Sequence, residues 1–336
     1  MNMFFLRTRR HASVFLPAPL VAPLRALVAW AVLALLALWT FGAGAACAAQ
    51  DAGAVGKAAV APRERLQVLA GTTLIEDLVR AVGGERVSVR TVIPGGACPG
   101  HHDVRASDVT AFATADVILL HDWQRGQAHI RALLDTAPGA ADRVRVPDVP
   151  GNWMLPGVQA RAAMAVAGLL AAADTEGAAA YSRRARERAD RAVGVGAEVR
   201  GTVAAAGIAG TPAIGDAMQR AMLEWLGLRV VGDYGRFEET GAEALARTVA
   251  AGKAARAVLV ADNLQSTGGA GRALAEDMGA RLVVLTNFPG GFPDAPDWES
   301  SFRRNAELVM AAVRGVSPGG APGAARGVAT ATGNAP

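Results

Sequence analysis

Cysteine is nearly absent: Cys47 and Cys98 are the two in 336 residues, so at most one disulfide can form. The chain also lacks an excess of charge once its first segment is set aside. Residues 1–47 hold Arg7, Arg9, Arg10 and Arg25 and no acid, and these four arginines account for the whole formal charge of +4. A nucleic-acid binder carries its basic footprint on the folded part, so nucleic acid is not an expected partner. No His-Glu-x-x-His run, Gly-x-Ser-x-Gly elbow or Walker loop occurs, which removes the commonest routes to hydrolysis and nucleotide chemistry. Gly268-Gly269-Ala270-Gly271 does not follow a strand in the form a dinucleotide fingerprint needs. No repeat of solenoid period is present.

What is there begins with an export signal. Arg7, Arg9 and Arg10 precede an uncharged apolar run, Ala26 to Phe41, which gives way to small residues up to Ala49. The run reaches the ~20 residues of a membrane span only if the Gly/Ala stretch is counted, so a cleaved signal over 1–49 is the expectation and a retained anchor the alternative. Cys47 after Gly44-Ala45-Ala46 resembles a lipid-acceptor cysteine, although Gly44 stands where a large aliphatic residue is usual. Cleavage beyond Cys47 would leave Cys98 as a lone thiol. Residues 50–64 are Ala/Gly-rich and polar, and 316–336 are similar; neither offers apolar surface to bury, so a linker and a disordered tail are expected there.

Between them, short β-branched runs alternate with helical patterns, which indicates βαβ units and an α/β fold. Leu66–Ala70, Val87–Ile93 and Asp116–Leu120 read as strands, with helices over Thr73–Val82 and Ala106–Ala113. The pattern restarts at Ala213-Ile214, continues with a helix over Ala217–Leu226, and adds strands at Arg229–Val231, Ala257–Val260 and Arg281–Leu285. The segment 157–207 has almost no strand character, and Ala178–Arg191 is rich in Ala, Arg and Glu without proline. Two α/β lobes with central sheets, at 65–156 and 208–315, joined by a long linking helix within 157–207, account for this.

The densest chemistry is in the loop Pro94–Ser107, where Cys98, His101, His102 and Asp103 lie among glycines and prolines. Thiolate with imidazole is a donor pair that suits zinc. His121 directly follows a strand, at the carboxyl edge of the sheet where open α/β proteins bind ligands. His129 reads as a solvated helix residue. Among the tryptophans, Trp225 is spaced helically from Met218, Met222 and Leu226 and reads as core, whereas Trp153 reads as a cleft wall. Glu238 and Glu239 are a charged loop pair.

The order of elements and the local text from Leu66 to Val313 resemble the metal-receptor branch of solute-binding proteins, the zinc and manganese receptors of ABC-type importers. Thr72–Arg86 resembles that family's first helix and turn, and Ser107-Asp108-Val109 with Ala113–Leu119 resembles its next helix and strand. Trp153-Met154-Leu155-Pro156 stands where the family has a Trp-Leu-Asp-Pro type motif; Trp225-Leu226-Gly227-Leu228 and Phe302–Val309 resemble later signatures.

The resemblance implies a non-enzymatic periplasmic receptor, monomeric, carrying Zn2+, or next Mn2+, to an ABC importer permease. Membrane contact would come only through that permease or through lipid on Cys47. In the family the first loop presents a histidine to the metal, and counting back from Asp108 favours His101 over His102 for that role. The second histidine position has Gly151-Asn152, the third falls on Asp216, and the last falls near Asn287-Phe288-Pro289. The resemblance therefore implies a nonstandard ligand set drawn from Cys98, His101, His121 and Asp216. His102 and Asp103 stand as substitutes, and Asn152, Trp153 and Asn287 line the cleft. A metal chelate as cargo, a cargo-free scaffold on the same fold, and an exported metal-dependent hydrolase using Cys98 and His101 are the alternatives.

Overall fold

The computed structural model describes residues 65–236, 240–266 and 269–315. The signal segment, the linker up to residue 64, Cys47, Glu238, Glu239 and the tail 316–336 lie outside them. The chain from Pro62 onward forms one unit.

The first lobe is a four-stranded parallel sheet. β1 (Leu66–Thr72) and β2 (Val87–Ile93) flank α1 (Thr73–Gly83), α2 (Ala106–Thr114) leads to β3 (Val117–Leu119), and α3 (Ala128–Thr136) leads to β4 (Val144–Arg145). Spatial order is β2-β1-β3-β4. Helices on both faces explain why β3 and the Val68–Ala70 part of β1 are continuous apolar runs: Val68, Ala70, Val117 and Leu119 face one core, and Leu69 and Ile118 face another. α1 begins where Thr72 caps it, with the Thr72 hydroxyl accepting from the Ile75 amide at 3.5 Å, and ends at Gly84, whose φ of 56° only glycine adopts cheaply.

Two helices follow, α4 (Pro156–Ala173) and α5 (Ala178–Ala206), packed on each other and on α1. Pro156 at the start of α4 needs no amide donor there. α4 is apolar and long enough to cross a membrane, yet Ala162, Ala163, Val166 and Leu170 are buried in the protein core. α5 is the expected long helix, and its glycine-bearing half is as regular as the first.

The second lobe repeats the first. β5 (Pro212–Asp216), α6 (Arg220–Trp225), β6 (Arg229–Tyr234), α7 (Ala242–Ala255), β7 (Leu259–Asn263), α8 (Ala270–Met278), β8 (Arg281–Leu285) and α9 (Trp298–Arg314) build a parallel sheet of order β6-β5-β7-β8. One apolar core runs from the first lobe through α4 and α5 to β5, β7, β8 and α9. Trp298 closes it: its ring stacks on Phe302, its indole N–H donates to the Met154 carbonyl at 3.0 Å, and the Arg188 guanidinium sits 4.8 Å above it. α6 is shorter than its sequence suggests. The Asp216 carboxylate accepts from the Met218 amide at 2.8 Å and the Asp216 carbonyl from the Gln219 amide, so the backbone turns first and becomes helical only at Arg220.

Candidate functional site

In both sheets the strand order reverses beside the first strand, between β1 and β3 and between β5 and β7. Such a reversal splays the loops at the carboxyl ends of the strands and opens a crevice there. The residues that leave those ends are Thr72, His121, Asp216 and the run from Asn263 to Ser266. A cavity of about 830 Å3 lies between the lobes. Its first-lobe wall includes Leu74, His121, Asp122, Trp123 and the extended segment Val146–Trp153, and its second-lobe wall Ala217, Met218, Ala221, Asn287 and Phe288.

His121 is 7% exposed. Its ring stacks on Trp123 with centroids 5.5 Å apart and meets Trp153 edge-on at 4.5 Å, and its Nε2 is 3.0 Å from the Thr72 hydroxyl. Burial against apolar rings disfavours the charged form and pushes the imidazole down to about 3, so it is neutral throughout the physiological range. Trp153 is itself fixed by its indole N–H on the Val149 carbonyl at 3.0 Å, while Trp123 is half exposed. Asn152 crosses the cleft, donating to the Met218 carbonyl at 3.2 Å and accepting from the Met154 amide at 2.8 Å.

Asp216 and Asn287, the second-lobe positions singled out in the sequence, are joined by hydrogen bonds. Ser266 donates its hydroxyl to Asp216 at 3.0 Å, Asn263 donates to Ser266 at 2.9 Å, and Asn287 donates to Asn263 at 3.1 Å. Burial raises the Asp216 carboxyl above its ordinary range, opposed by the donors from Met218 and Ser266. Asp262 adds to the upward push, and its own oxygen accepts from the Tyr234 hydroxyl.

The Gly/Pro loop of the first lobe reaches the second. The Gly95 carbonyl accepts from Gln265 at 2.7 Å, the Thr73 hydroxyl donates to the Pro289 carbonyl at 2.8 Å, and a Cβ on Gly100 would stand 2.9 Å from Arg236. Within it a 3-10 turn, Pro99–His101, brings Cys98 Sγ to 3.3 Å from His101 Nδ1. His102 turns away: its side chain is 6% exposed and its Nε2 lies 3.1 Å from the Asp108 carboxylate. Its ring is 5.8 Å from that of His129. His129 is half-buried rather than solvated, and its Nε2 has no hydrogen-bond partner.

The structure thus brings His121, Asn152, Trp153 and Asn287 to one cavity and pairs Cys98 with His101. It joins Asp216 through Ser266 and Asn263 to the cavity-lining Asn287, and leaves Asp103 exposed. Among the described residues, no group of three or more His, Cys, Asp or Glu side chains gathers as a metal would require. Met218, Phe288 and Asp148 were not singled out from the sequence. Phe288 had a signal, as the neighbour of Asn287; Met218 entered only through its helical spacing to Trp225 and is 59% exposed.

Two α/β lobes of the same topology, tied by a long helix and facing each other across a cavity at their strand ends, define a helix-bridged solute-binding protein. Residues 68–312 match the family described as zinc-uptake complex component A, periplasmic, and the chain belongs to that family. The family consists of substrate-binding proteins of ABC metal importers, not of enzymes.

Solved structures share the fold. The crystal structure of ZnuA aligns with a TM-score of 0.60 and 17% identity, over 74% of this chain and 100% of that one. The Mn-bound periplasmic metal binding protein from Candidatus Liberibacter asiaticus aligns at 0.63 and 14%, over 74% and 100%. The solute-binding protein FpvC from Pseudomonas aeruginosa, in complex with Mn2+, aligns at 0.64 and 19%, over 75% and 99%.

Proposed function

We propose that this protein is the cargo-capturing receptor of an ABC importer outside the cytoplasmic membrane, and that its cargo is a divalent transition metal, zinc ahead of manganese. The observation that carries the reading is the pairing of Cys98 Sγ with His101 Nδ1 at 3.3 Å, in the loop that spans from the first lobe to the second. Two such donors converge on one ion without rebuilding the turn. Sulfur and nitrogen suit zinc, whereas manganese prefers oxygen. Cys98 binds as thiolate, so capture releases its proton. Asp103 extends the loop's donor set, His121 and Asp216 are the further candidate donors from the two lobes, and water or a ligand travelling with the ion fills what remains. The permease is the partner, and the folded chain acts as a monomer.

Equilibrium dialysis at neutral pH tests this. The protein should retain zinc in preference to manganese, and Cys98→Ser or His101→Ala should weaken zinc binding by at least the 10-fold to 100-fold that loss of even an outer metal contact brings. His129→Ala should not. Recovery of no metal, or equal retention by His101→Ala, would overturn the reading.

A further inference from the structure

The cleft cavity has room for more than a bare ion. A water molecule's share of space is about 30 Å3, and pockets that enclose organic ligands run from about 300 to 1,000 Å3. This one holds about 830 Å3 and is walled by Trp123, Trp153 and Phe288. Trp123 is 48% exposed and lies in the cavity wall, so its indole is open to a ligand there. Among the described residues, the charged side chains in the lining are both acidic, Asp122 and Asp148, with no lysine or arginine. Asp122 has Arg125 at 4.0 Å on the outer surface, so Asp148 supplies the less compensated charge. His121 adds an aromatic edge and, being neutral, no positive charge.

From the exposed indole, the aromatic walls and the two carboxylates, we infer that this cavity binds a flat organic body carrying positive charge. A cation lying over an indole face is held by the ring's quadrupole, and a nearby carboxylate favours it over an anion of the same shape. Neither Cys98 nor His101 is among the residues that line this cavity; the inference rests on the protein being a cargo receptor, and it deepens that reading by naming what accompanies or replaces the bare ion. Two sources share this chemistry: an organic cation of fixed charge, or a neutral flat chelator whose charge is its bound metal.

Calorimetry on the full chain separates them with four probes: N-methylquinolinium, a one-to-one zinc–phenanthroline complex, quinoline-2-carboxylate and zinc chloride alone. The inference expects saturable binding of the first or the second and at least tenfold weaker binding of the anionic third. N-methylquinolinium binding identifies the fixed-charge source; the zinc complex alone binding identifies the chelate. Trp123→Ala should lose about twofold to thirtyfold in affinity for the bound probe, the range of a partly exposed to desolvated cation–indole contact. Because Trp123 also stacks on His121, the variant is assayed at a temperature where circular dichroism shows it folded, and Trp123→Phe, which keeps a ring there, should retain most of the affinity, which separates lost contact from lost fold. Equal binding of the anion, or no effect of Trp123→Ala, would overturn the inference. So would failure of both flat cations, whatever zinc chloride does; zinc binding alone would then leave the metal reading standing without it.

Discussion

His121 sits between two indoles with its Nε2 on Thr72, and its environment sets how the protein responds to acid. In the unfolded chain its imidazole titrates near 6.5, and in the folded protein near 3. Between those values the unfolded state binds a proton that the folded state refuses, so this residue's contribution to stability is full above 6.5 and declines as the pH falls toward 3. His121→Asn should flatten that part of the profile. Melting temperatures from pH 7 to pH 3 would show it as a difference between variant and parent that narrows with acid; a constant difference would contradict it. Position was legible for this residue, because a histidine directly after a buried strand must lie at a sheet edge. Its neutrality was not, since the indoles that desolvate it come from two and thirty-two residues further along the chain.

At the scale of elements, α5 shows how the same residue type plays opposite roles. Gly194 and Gly201 face open space, while a Cβ on Gly196 would stand 2.8 Å from the ring of Pro156 at the start of α4. Gly194→Ala and Gly201→Ala should each stabilise the protein by about 0.5–1 kcal/mol, the helix-propensity gain. Gly196→Ala should instead destabilise it by about 1–3 kcal/mol, because the helices must part or Pro156 must shift. Urea denaturation of the three variants checks the signs; a stabilised Gly196→Ala would mean that the α4–α5 contact is soft. By helix propensity alone all three glycines are weak points in the helix. What distinguishes them is which face meets α4, and that depends on a contact between residues forty apart. The truncated start of α6 has a similar cause: its pattern reads as helical from Ala217, but the Asp216 side chain captures the Met218 amide first.

Across the whole molecule, the lobes are tied at several points besides the chain connection. Gln265 holds Gly95, Thr73 holds Pro289, Asn152 holds Met218, and Trp298 anchors α9 to the start of α4. A helix of 29 residues and a core continuous through both lobes oppose a wide hinge motion. Solute capture should therefore proceed by small shifts, and scattering profiles with and without zinc or N-methylquinolinium should nearly superimpose. A large fall in radius of gyration on binding would show that these ties break.

The alternation of β-branched and helical patterns by itself determined the two-lobed α/β architecture, because hydrophobic periodicity is local and each run of five to twenty residues carries its own signal. It also determined the loop of metal-competent side chains at Cys98 and His101, which are neighbours in the chain. Only the tertiary structure decided the cavity. Trp123, Asp148, Met218 and Phe288 are scattered over 166 residues and acquire a common surface only when two sheets point their strand ends at each other. It likewise decided that Asp216 and Asn287 are joined through Ser266 and Asn263, because a hydrogen-bond partner is chosen by distance in space and not by separation along the chain.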